Sequence, residues 1–562
     1  MTESLYHWQI AAFDHAACAP LARSLGVSPL LVHLLRLRGA DTAEKMQDFL
    51  HPRLAHLGSP FDLPDMSVAV DRLLLARKHQ ESVLVFGDYD VDGITATALL
   101  TRALRRFGIA RVSSDMPDRF SEGYGLTAAR VEKAAEEGQH LIVTVDNGTS
   151  AHEAAERAVE LGIDLIVTDH HSLEEKLPPA LAVINPKRCT PDHPAYMLAG
   201  AGVALKLSIA LNGTPNDLDI AALGTVSDIV PLLGENRVIV ALGIRHMIQH
   251  QRLGIAKLAQ AARFHISQVD SQKIGFQLGP RLNAAGRMET GHDALRLLLT
   301  EDAQEAAELA EKLNAVNEER RAIETKIYEE AVSTLDSFFK EEQRSIVLSR
   351  ENWHQGVIGI VASRILSGFR RPVIICCMGD DGLLHGSGRG IPGFDMVAAL
   401  NGCAEYLIRY GGHKAAAGIT LAPERLDDFR SAFEEQAALQ LGKGKLKPQL
   451  ELDALVSLSQ IDTAFVTALK NMAPFGQHNQ EPIFCASGVD LLPASIQVLR
   501  EQHLKFAVQQ NGVTHNVIGF YKAERFCSAS LPRHMDLVFS PFFNTFNGNN
   551  AIQLLLHDLR SA

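Results

Sequence analysis

Between residues 83 and 184 the sequence alternates short apolar runs with segments of helical spacing. The apolar runs are VLVF, LIVTV, DLIVT and LAVI, and the helical segments ITATALLTRALRRFG and SAHEAAERAVELG separate the first three. Strands that alternate with helices predict a parallel sheet with helices on both faces, which is an α/β fold. In such a sheet the carboxyl ends of the strands form the crevice in which ligands bind.

Acidic or imidazole side chains follow the first three predicted strands. They are Asp88, Asp90 and Asp92 after the first strand, Asp146 after the second, and Asp169, His170 and His171 after the third. Asp228, in LGTVSDIVPL, is predicted at a helix end. Carboxylates that converge repel one another unless cations lie between them. Oxygen ligands with imidazole suit Mn²⁺ or Mg²⁺, and so many carboxylates indicate two ions about 3.5–4 Å apart.

Each of these signals also has a purely structural explanation. Aspartate after a strand is a common helix N-cap, and Asp146-Asn147-Gly148 could form only a turn. Asp88 and Asp169 could orient a ligand from behind it rather than touch the metal. The agreement of several signals at one predicted edge nevertheless favours a metal site.

A second α/β unit is predicted after residue 300. Residues 301–340 are charge-rich and free of Gly and Pro, which predicts a connecting helix. Strands SIVLS and PVIICC flank the helix GVIGIVASRILSGF, and the motifs GSGRG and GGHKAAAG are predicted to be glycine-rich loops. Main-chain N–H groups and cations in such loops bind phosphate, although the glycines could make only tight turns. The candidate phosphate-binding residues are Ser387, Gly388, Arg389, Gly411, Gly412, His413 and Lys414.

Two arginines in GPRLNAAGRM are further candidates for the substrate. Arg281 and Arg287 could both reach it, and Arg281 could equally pair with a nearby carboxylate. Because no spacing in the sequence separates these two roles of Arg281, both stay open.

The two ends of the chain carry none of these motifs. Residues 1–75 predict helices, and residues 449–562 are rich in strand-like runs that fit a small β-barrel. Phe542, Phe543 and Phe546 are candidates for base stacking, although each one alone is more often a core residue. The linker-like LGKGKLKP precedes the barrel, so chemistry is expected to survive removal of the barrel. The expected domains are 1–75, 76–300, 301–340, 341–441 and 449–562.

Composition adds few constraints. The net charge of −12 argues weakly against a nucleic-acid partner, but basic residues cluster locally in TRALRRFGIAR and SRILSGFRRP. Neither a signal peptide nor an apolar segment of membrane-spanning length is expected. The seven cysteines are scattered without CxxC spacing, which favours core thiols in the cytoplasm.

The motifs DYDVDG, VDNG, TDHH and SDIVPL resemble the four motifs of the DHH phosphoesterase superfamily. GPRLNAAGRM, GSGRG and GGHKAAAG narrow the resemblance to its bacterial exonucleases specific for single-stranded DNA, over nearly the whole chain. One departure is Phe546, where a Trp is expected. The resemblance implies that His171 is a metal ligand or a catalytic group beside the metals. Asp88 and Asp169 are candidate catalytic residues together with His171. The metal ligands that it implies are Asp90, Asp92, Asp146, His170 and Asp228.

The resemblance also implies the domain types and the reaction. It implies a DHH catalytic domain, a DHH-associated domain and a C-terminal OB-fold, with two Mn²⁺ or Mg²⁺ ions. The expected reaction releases 5′-mononucleotides from single-stranded DNA in repair and recombination. Expected partners are a single-strand-binding protein and a recombination helicase, with no membrane.

Two other functions stay open from the sequence. One is a phosphodiesterase or pyrophosphatase on oligoribonucleotides, cyclic dinucleotides or polyphosphate, which would not need the extra barrel. The other is a non-catalytic single-strand scaffold, which is expected to lack the carboxylates.

Overall fold

The computed structural model describes residues 4–118, 122–442, 447–526, 531–544 and 551–562. The chain forms two compact units. The first comprises Met1–Gly279, Ala294–Ala307 and Lys447–Ala562, and the second comprises Pro280–Asp293 and Glu308–Leu446.

The N-terminal part of the first unit is mainly helical, as expected. Its elements are β1 (His7–Ile10), α1 (His15–Leu25), α2 (Pro29–Leu37), α3 (Ala43–Leu50) and α4 (Met66–His79). The side chains of Asp14, Ser28 and Thr42 accept backbone hydrogen bonds at the first turns of α1, α2 and α3, which explains where these helices begin. Of the described helices, no single one has the length and apolarity to cross a membrane; only α1 and α2 taken together, bent by 104°, pass that test.

A five-stranded parallel sheet forms the centre of the first unit and confirms the predicted α/β fold. The strand order is β3-β2-β4-β5-β6. The strand Arg111–Asp115 was not predicted. The elements are β2 (Ser82–Phe86), α5 (Val91–Phe107), β3 (Arg111–Asp115), α6 (Ala128–Glu136), β4 (Leu141–Val145), α7 (His152–Leu161), β5 (Asp164–Thr168) and β6 (Ala182–Ile184).

Helices follow the sheet. They are α8 (Gly200–Asn212), α9 (Leu218–Ser227), α10 (Gly234–His250), α11 (Leu253–Ala261), α12 (Ser271–Lys273), a π-helix (Ile274–Leu278), α13 (Gly279–Met288), α14 (His292–Leu299) and α15 (Ala303–Phe338). Both α8 and α9 pack against α5. Asp228 caps the carboxyl end of α9, so the predicted helix end is confirmed. The 36 residues of α15 confirm the predicted long helix.

The second unit contains a mixed five-stranded sheet of order β10-β11-β9-β8-β7. Among its described strands, β7 and β8 pair in parallel and the other neighbours are antiparallel. Its elements after α15 are β7 (Ile346–Arg350), α16 (Gln355–Phe369), β8 (Val373–Met378), β9 (Leu384–Arg389), α17 (Met396–Asn401), β10 (Arg409–Gly412), β11 (Ala416–Leu421) and α18 (Leu426–Leu441).

The prediction of glycine-rich loops in this unit was wrong. Most of GSGRG lies in β9, and GGHKAAAG forms the end of β10, a short turn and the start of β11. Glycine is depleted from strands in general, so the motifs were assigned to loops. The sheet needs glycine here because a Cβ on Gly386 would lie 2.6 Å from Ile419 and 2.8 Å from the Sγ of Cys376.

The C-terminal region confirms the predicted barrel. Strand β14 pairs with both β15 and β17, and β18 joins β17 to β16, which closes five strands into a barrel. The elements are β12 (Gln449–Leu452), β13 (Ala454–Leu455), α19 (Thr463–Leu469), β14 (Phe484–Leu499), β15 (His503–Gln510), β16 (Val513–Gly519), β17 (His534–Asn544) and β18 (Ala551–Ser561).

The barrel and the N-terminal helices share one hydrophobic core. Leu31 and Leu34 of α2 belong to the same buried cluster as Phe484 and Phe506 of the barrel. Strand β1 pairs in parallel with β12. The buried guanidinium of Arg237 donates to backbone carbonyls on both sides, at Phe49 in α3 and Met472 after α19. The linker-like start suggested a separate module, whereas the structure places the barrel in one compact unit with the N-terminal helices.

Candidate metal centre and substrate site

Two aspartates after β2 are held in place by backbone N–H groups. Asp90 is the N-cap of α5 and accepts a hydrogen bond of 3.0 Å from the N–H of Gly93. Asp92 is buried, and its two carboxylate oxygens accept hydrogen bonds of 2.6 and 2.9 Å from the N–H groups of Gly200 and Ala201. These donors form the first turn of α8, where the helix dipole favours a negative charge.

Three further side chains converge on Asp92. His170 follows β5, and its Nε2 lies 3.0 Å from the Oδ1 of Asp146, which follows β4. The same nitrogen lies 3.6 Å from the Oδ2 of Asp228 at the end of α9 and 3.7 Å from the Oδ2 of Asp92. Groups that are far apart in the sequence thus meet at the carboxyl edge of the sheet, as predicted.

The polar atoms at this centre are incompletely satisfied by the protein. Among the described residues, the Oδ1 of Asp146, the Nε2 of His170 and the Oδ2 of Asp228 are buried and have no hydrogen-bond partner. Leaving a buried polar group unpaired typically costs about 1–3 kcal/mol. Because the Nε2 of His170 lies 3.0 Å and 3.6 Å from the other two atoms, a cation placed among the three would satisfy them all.

The ligand atoms fall into three groups that could each hold a metal ion. The atoms of each group lie within 4.8 Å of one another, and the groups are Asp92, His170 and Asp228; Asp146, His170 and His171; and Asp88, Asp90 and Asp146. Asp146 and His170 each belong to two groups, which suits a bridging or shared position. Carboxylate oxygens with imidazole fit Mn²⁺ or Mg²⁺.

The pKa values at the centre show its need for positive charge. Burial and the nearby Asp90 raise the pKa of Asp92 to about 7, and burial with Asp92 and Asp90 raises the pKa of Asp228 to about 9. Burial and Asp92 raise the pKa of Asp146 as well. Burial lowers the pKa of His170 to about 3, so its imidazole is neutral at pH 7, which is the form that binds metals.

Asp169 differs from the other acids because the protein occupies its oxygens. It accepts hydrogen bonds of 2.9 and 2.7 Å from the backbone N–H groups of Thr149 and His170. Its Oδ1 also lies 2.7 Å from the Nδ1 of His171. Burial alone would lower the pKa of His171, but the hydrogen bond with Asp169 raises it above its ordinary value. This geometry favours the interpretation in which Asp169 orients His171.

Sequence reasoning missed two contributors to the centre. The hydroxyl of Tyr124 donates to the backbone carbonyl of Asp146 at 3.1 Å and lies 3.3 Å from His171. The second contributor is the close approach of α8, where a Cβ on Gly200 would lie 2.6 Å from the Cβ of Asp146. The glycines beside Tyr124 in EGYGLT and those in AGAGVA were the available signals.

In the sheet of the second unit, a row of three paired residues across β10, β11 and β9 has small side chains or none. Gly411 pairs with Gly418, and Gly418 pairs with Ser387. A Cβ on either glycine would meet no atom of the described residues within 4 Å, so the surface that they form there is open. Arg389, at the end of β9, donates through Nη1 to the Oγ of Ser387 at 3.0 Å. Gly388 lies beside them in β9, Gly412 ends β10, and His413 and Lys414 lie exposed in the turn that follows.

The two arginines of GPRLNAAGRM also have partners. The Nε of Arg281 donates to the Oδ1 of Asn314 at 2.9 Å, and Nη1 of Arg287 lies 3.4 Å from the carbonyl oxygen of Gly356. The roles assigned to the residues of both units stay predictions.

The three stacking candidates of the barrel have less support. Phe543 packs against the shared core, with the Nζ of Lys470 4.6 Å from its ring centroid. Phe542 is half-buried, and Phe546 lies outside the described residues.

Three protein-family models match separate parts of the chain. The DHH family, N-terminal domain, matches residues 82–225, the DHHA1 domain matches 342–439, and the RecJ OB domain matches 452–558. The single-stranded-DNA-specific exonuclease RecJ of Haemophilus influenzae is 34% identical, over 96% of this chain and 97% of its own. The chain belongs to the RecJ family. Its RecJ relative from Bacillus subtilis is 35% identical, over 99% of this chain and 71% of its own.

A solved RecJ structure has the same fold. It is that of Thermus thermophilus RecJ in complex with Mn²⁺, which superposes with a TM-score of 0.85 at 30% identity and covers 99% of this chain and 80% of its own. These matches confirm the resemblance drawn from the motifs and the DHH, DHH-associated and OB-fold architecture.

Proposed function

We propose that this RecJ-family chain is a metal-dependent exonuclease that degrades single-stranded DNA from its 5′ end. It releases 5′-mononucleotides and acts in DNA repair and recombination. The observation that carries the proposal is the convergence of Asp92, Asp146, His170 and Asp228, with three buried atoms that lack hydrogen-bond partners among the described residues. The relatives named as single-stranded-DNA-specific exonucleases support the substrate class.

The proposed cofactor is a pair of divalent ions, Mn²⁺ or Mg²⁺. Asp90, Asp92, Asp146, His170 and Asp228 would hold them. Two groups of ligand atoms, each within 4.8 Å, support this assignment: Asp92, His170 and Asp228 form one, and Asp90 and Asp146 belong to the other together with Asp88. Thermus thermophilus RecJ structures in complex with Mn²⁺ and with Mg²⁺ support the choice of ion. When bound, such ions activate water and neutralise the charge that develops on a phosphoryl group.

The chain's own residues orient the reacting groups. The N–H groups of Gly200 and Ala201 hold the carboxylate of Asp92, so it faces the centre in one orientation. Asp169 orients the ring of His171 through a hydrogen bond at Nδ1. The same hydrogen bond raises the pKa of His171, so the ring keeps its second proton up to a higher pH. We assign His171 to a hydrogen bond with a phosphoryl oxygen of the substrate.

The second unit would hold the nucleotide on the 5′ side of the scissile bond. Ser387, Gly388, Arg389, Gly411, Gly412 and His413 are the residues assigned to it, and Arg281 and Arg287 are assigned to neighbouring phosphates. The open row of glycines allows a phosphate to approach the main chain closely, and Arg389 supplies a planar cation for it.

The substrate class decides between this function and its alternative. A phosphodiesterase for cyclic dinucleotides or short oligoribonucleotides would not need a barrel, whereas the match to a RecJ OB domain supports a polymer. We further propose the cytoplasm as the location. A single-strand-binding protein and a recombination helicase are the proposed partners, supported by the resemblance alone.

The test is digestion of one long single strand labelled at either its 5′ or its 3′ end, in Mn²⁺. We expect the 5′ label to appear first, as a mononucleotide, while a duplex of the same sequence resists. A chelator should stop release and added Mn²⁺ should restore it. Release of the 3′ label first would reject the polarity. Turnover of a dinucleotide without turnover of the long strand would reject the substrate class.

A further inference from the structure

Ile229 combines two unfavourable features at the edge of the metal centre. It directly follows Asp228, and its φ of 61° lies in the left-handed region. Of the non-glycine residues with positive φ in the described ranges, it is the only β-branched one, for which this conformation is a marked outlier. Its side chain is 71% exposed, so burial of the side chain does not offset the strain.

Phe276 is a second exposed apolar side chain, on a segment that packs beside the last turn of α9. It is 82% exposed, the highest value for a large apolar residue in the described part of the chain. It lies in the π-helix Ile274–Leu278, and such turns occur frequently at functional sites. The π-helix packs along the last turn of α9, since a Cβ on Gly275 would lie 3.6 Å from Val226.

We propose that Ile229 and Phe276 form an apolar contact surface for the nucleobases of the strand that is being cut. The inference rests on the proposed function. A phosphodiester bound at Asp228 carries its bases to within reach of the neighbouring residues, and bases are the parts of the strand with apolar faces. Contacts with those faces tolerate any sequence, because they involve no hydrogen-bonding edges of the bases.

The position of Ile229 in the chain argues against a purely structural role for its side chain. It is the residue after the C-cap of α9, a place that helices most often give to glycine. If Ile229 served only to end the helix, glycine would serve better, because it adopts positive φ without strain. A loss of activity in Ile229→Gly therefore cannot be attributed to a strained backbone.

The experiment compares kcat/KM of the full-length chain on two single strands of equal length in Mn²⁺. One strand carries normal bases throughout, and the other carries abasic residues at its 5′ end. For Ile229→Gly and for Phe276→Ala we expect kcat/KM on the normal strand to fall about tenfold. On the abasic strand the ratio of wild-type to variant kcat/KM should approach one.

Matched variants control for strain relief and for lost apolar surface. Gln251→Gly also changes a positive-φ residue, at 45°, at the end of α10, and Leu439→Ala removes a 76% exposed side chain of α18. Both should behave as wild type, and Ile229→Val should retain most of the activity. Thermal unfolding should show Ile229→Gly to be at least as stable as wild type.

Two outcomes would overturn the inference alone. One is wild-type kcat/KM for both Ile229→Gly and Phe276→Ala on the normal strand, and the other is an equal deficit on both strands. A wild-type chain that fails to degrade the normal strand would instead reject the proposed function, and the inference with it.

Discussion

At the scale of single residues, the centre brings together carboxyl groups whose ionised form the described protein groups stabilise only in part. Asp92 is stabilised by two backbone N–H groups, but buried atoms of Asp146 and Asp228 lack hydrogen-bond partners in the described structure. Such an arrangement is costly in the metal-free chain and is useful only when cations bind. Replacing one of these carboxylates should therefore raise the stability of the metal-free chain and lower its metal-dependent activity.

The substitution Asp228→Asn tests this opposition. Because the pKa of Asp228 rises from 3.8 to about 9 on folding, the unfolded chain is ionised between these pH values while the folded carboxyl holds its proton. The free energy of unfolding of the metal-free chain should thus fall as pH rises through this window. Asp228→Asn should flatten this dependence and raise the melting temperature at pH 8 in chelator, while kcat in Mn²⁺ falls by roughly 100-fold or more. Melting temperatures with the same pH dependence as wild type would contradict the account.

Tyr124 tests how the residues around the centre are oriented. Its hydroxyl touches the carbonyl of Asp146 and the ring of His171, while its side chain is 47% exposed. Tyr124→Phe keeps the ring and removes both contacts. We expect kcat to fall about three- to tenfold with KM and the melting temperature nearly unchanged, because the hydrogen bond to the Asp146 carbonyl and the contact with His171 are lost from a preorganised site. A higher KM with unchanged kcat would instead assign Tyr124 to substrate binding.

At the scale of elements, the sheet of the second unit illustrates how glycine serves two purposes. At Gly386 glycine allows dense packing, because a Cβ there would collide with Ile419. At Gly411 and Gly418 an added Cβ would meet no atom of the described chain within 4 Å, so packing does not require glycine. The open space at these two positions is what a bound nucleotide would need.

A pair of substitutions separates these purposes. Gly418→Val should leave the free energy of unfolding within about 1 kcal/mol of wild type, since valine suits a strand and its Cβ would meet no described atom within 4 Å. Its kcat/KM on single-stranded DNA should fall at least about tenfold, because the added side chain covers the open row. Gly386→Val is the contrasting variant and should lower the melting temperature. Normal kcat/KM for Gly418→Val would remove this face from the substrate site.

At the scale of the whole molecule, the N-terminal helices and the barrel stabilise each other. Residues of α2 and α3 share a core with β14 and β15, and Arg237 bonds to carbonyls on both sides. The barrel therefore contributes to the stability of the fold as well as to any binding of DNA.

Truncation after Gly442 should consequently unfold the N-terminal region. Removing β12–β18 exposes the apolar side chains of α1–α3, so we expect aggregation or a broad thermal transition without cooperativity. Circular dichroism during heating measures this directly. A truncated chain that melts cooperatively near the wild-type temperature and still cleaves short oligonucleotides would show that the two regions fold independently.

The sequence predicted what depends on local pattern and missed what depends on distant neighbours. Apolar runs ending in acids predicted β2, β4 and β5 and the convergence of their side chains. The strand Arg111–Asp115 was missed because this edge strand, RVSSD, is polar and only partly buried. The packing of the glycines in β9 and the shared core of the barrel depend on residues remote in sequence, which no local pattern contains.

The central claim is that Asp90, Asp92, Asp146, His170 and Asp228 form one metal centre. Electron paramagnetic resonance of free Mn²⁺ during a titration counts the ions that the chain binds. We predict two ions for wild type, and markedly weaker binding of both for Asp146→Asn, because Asp146 belongs to two of the ligand groups. Asparagine tolerates the φ of 59° at this position, and Asp427→Asn, at an exposed acid of α18, should bind as wild type. Two ions bound equally tightly by Asp146→Asn, or none bound by wild type, would contradict the account.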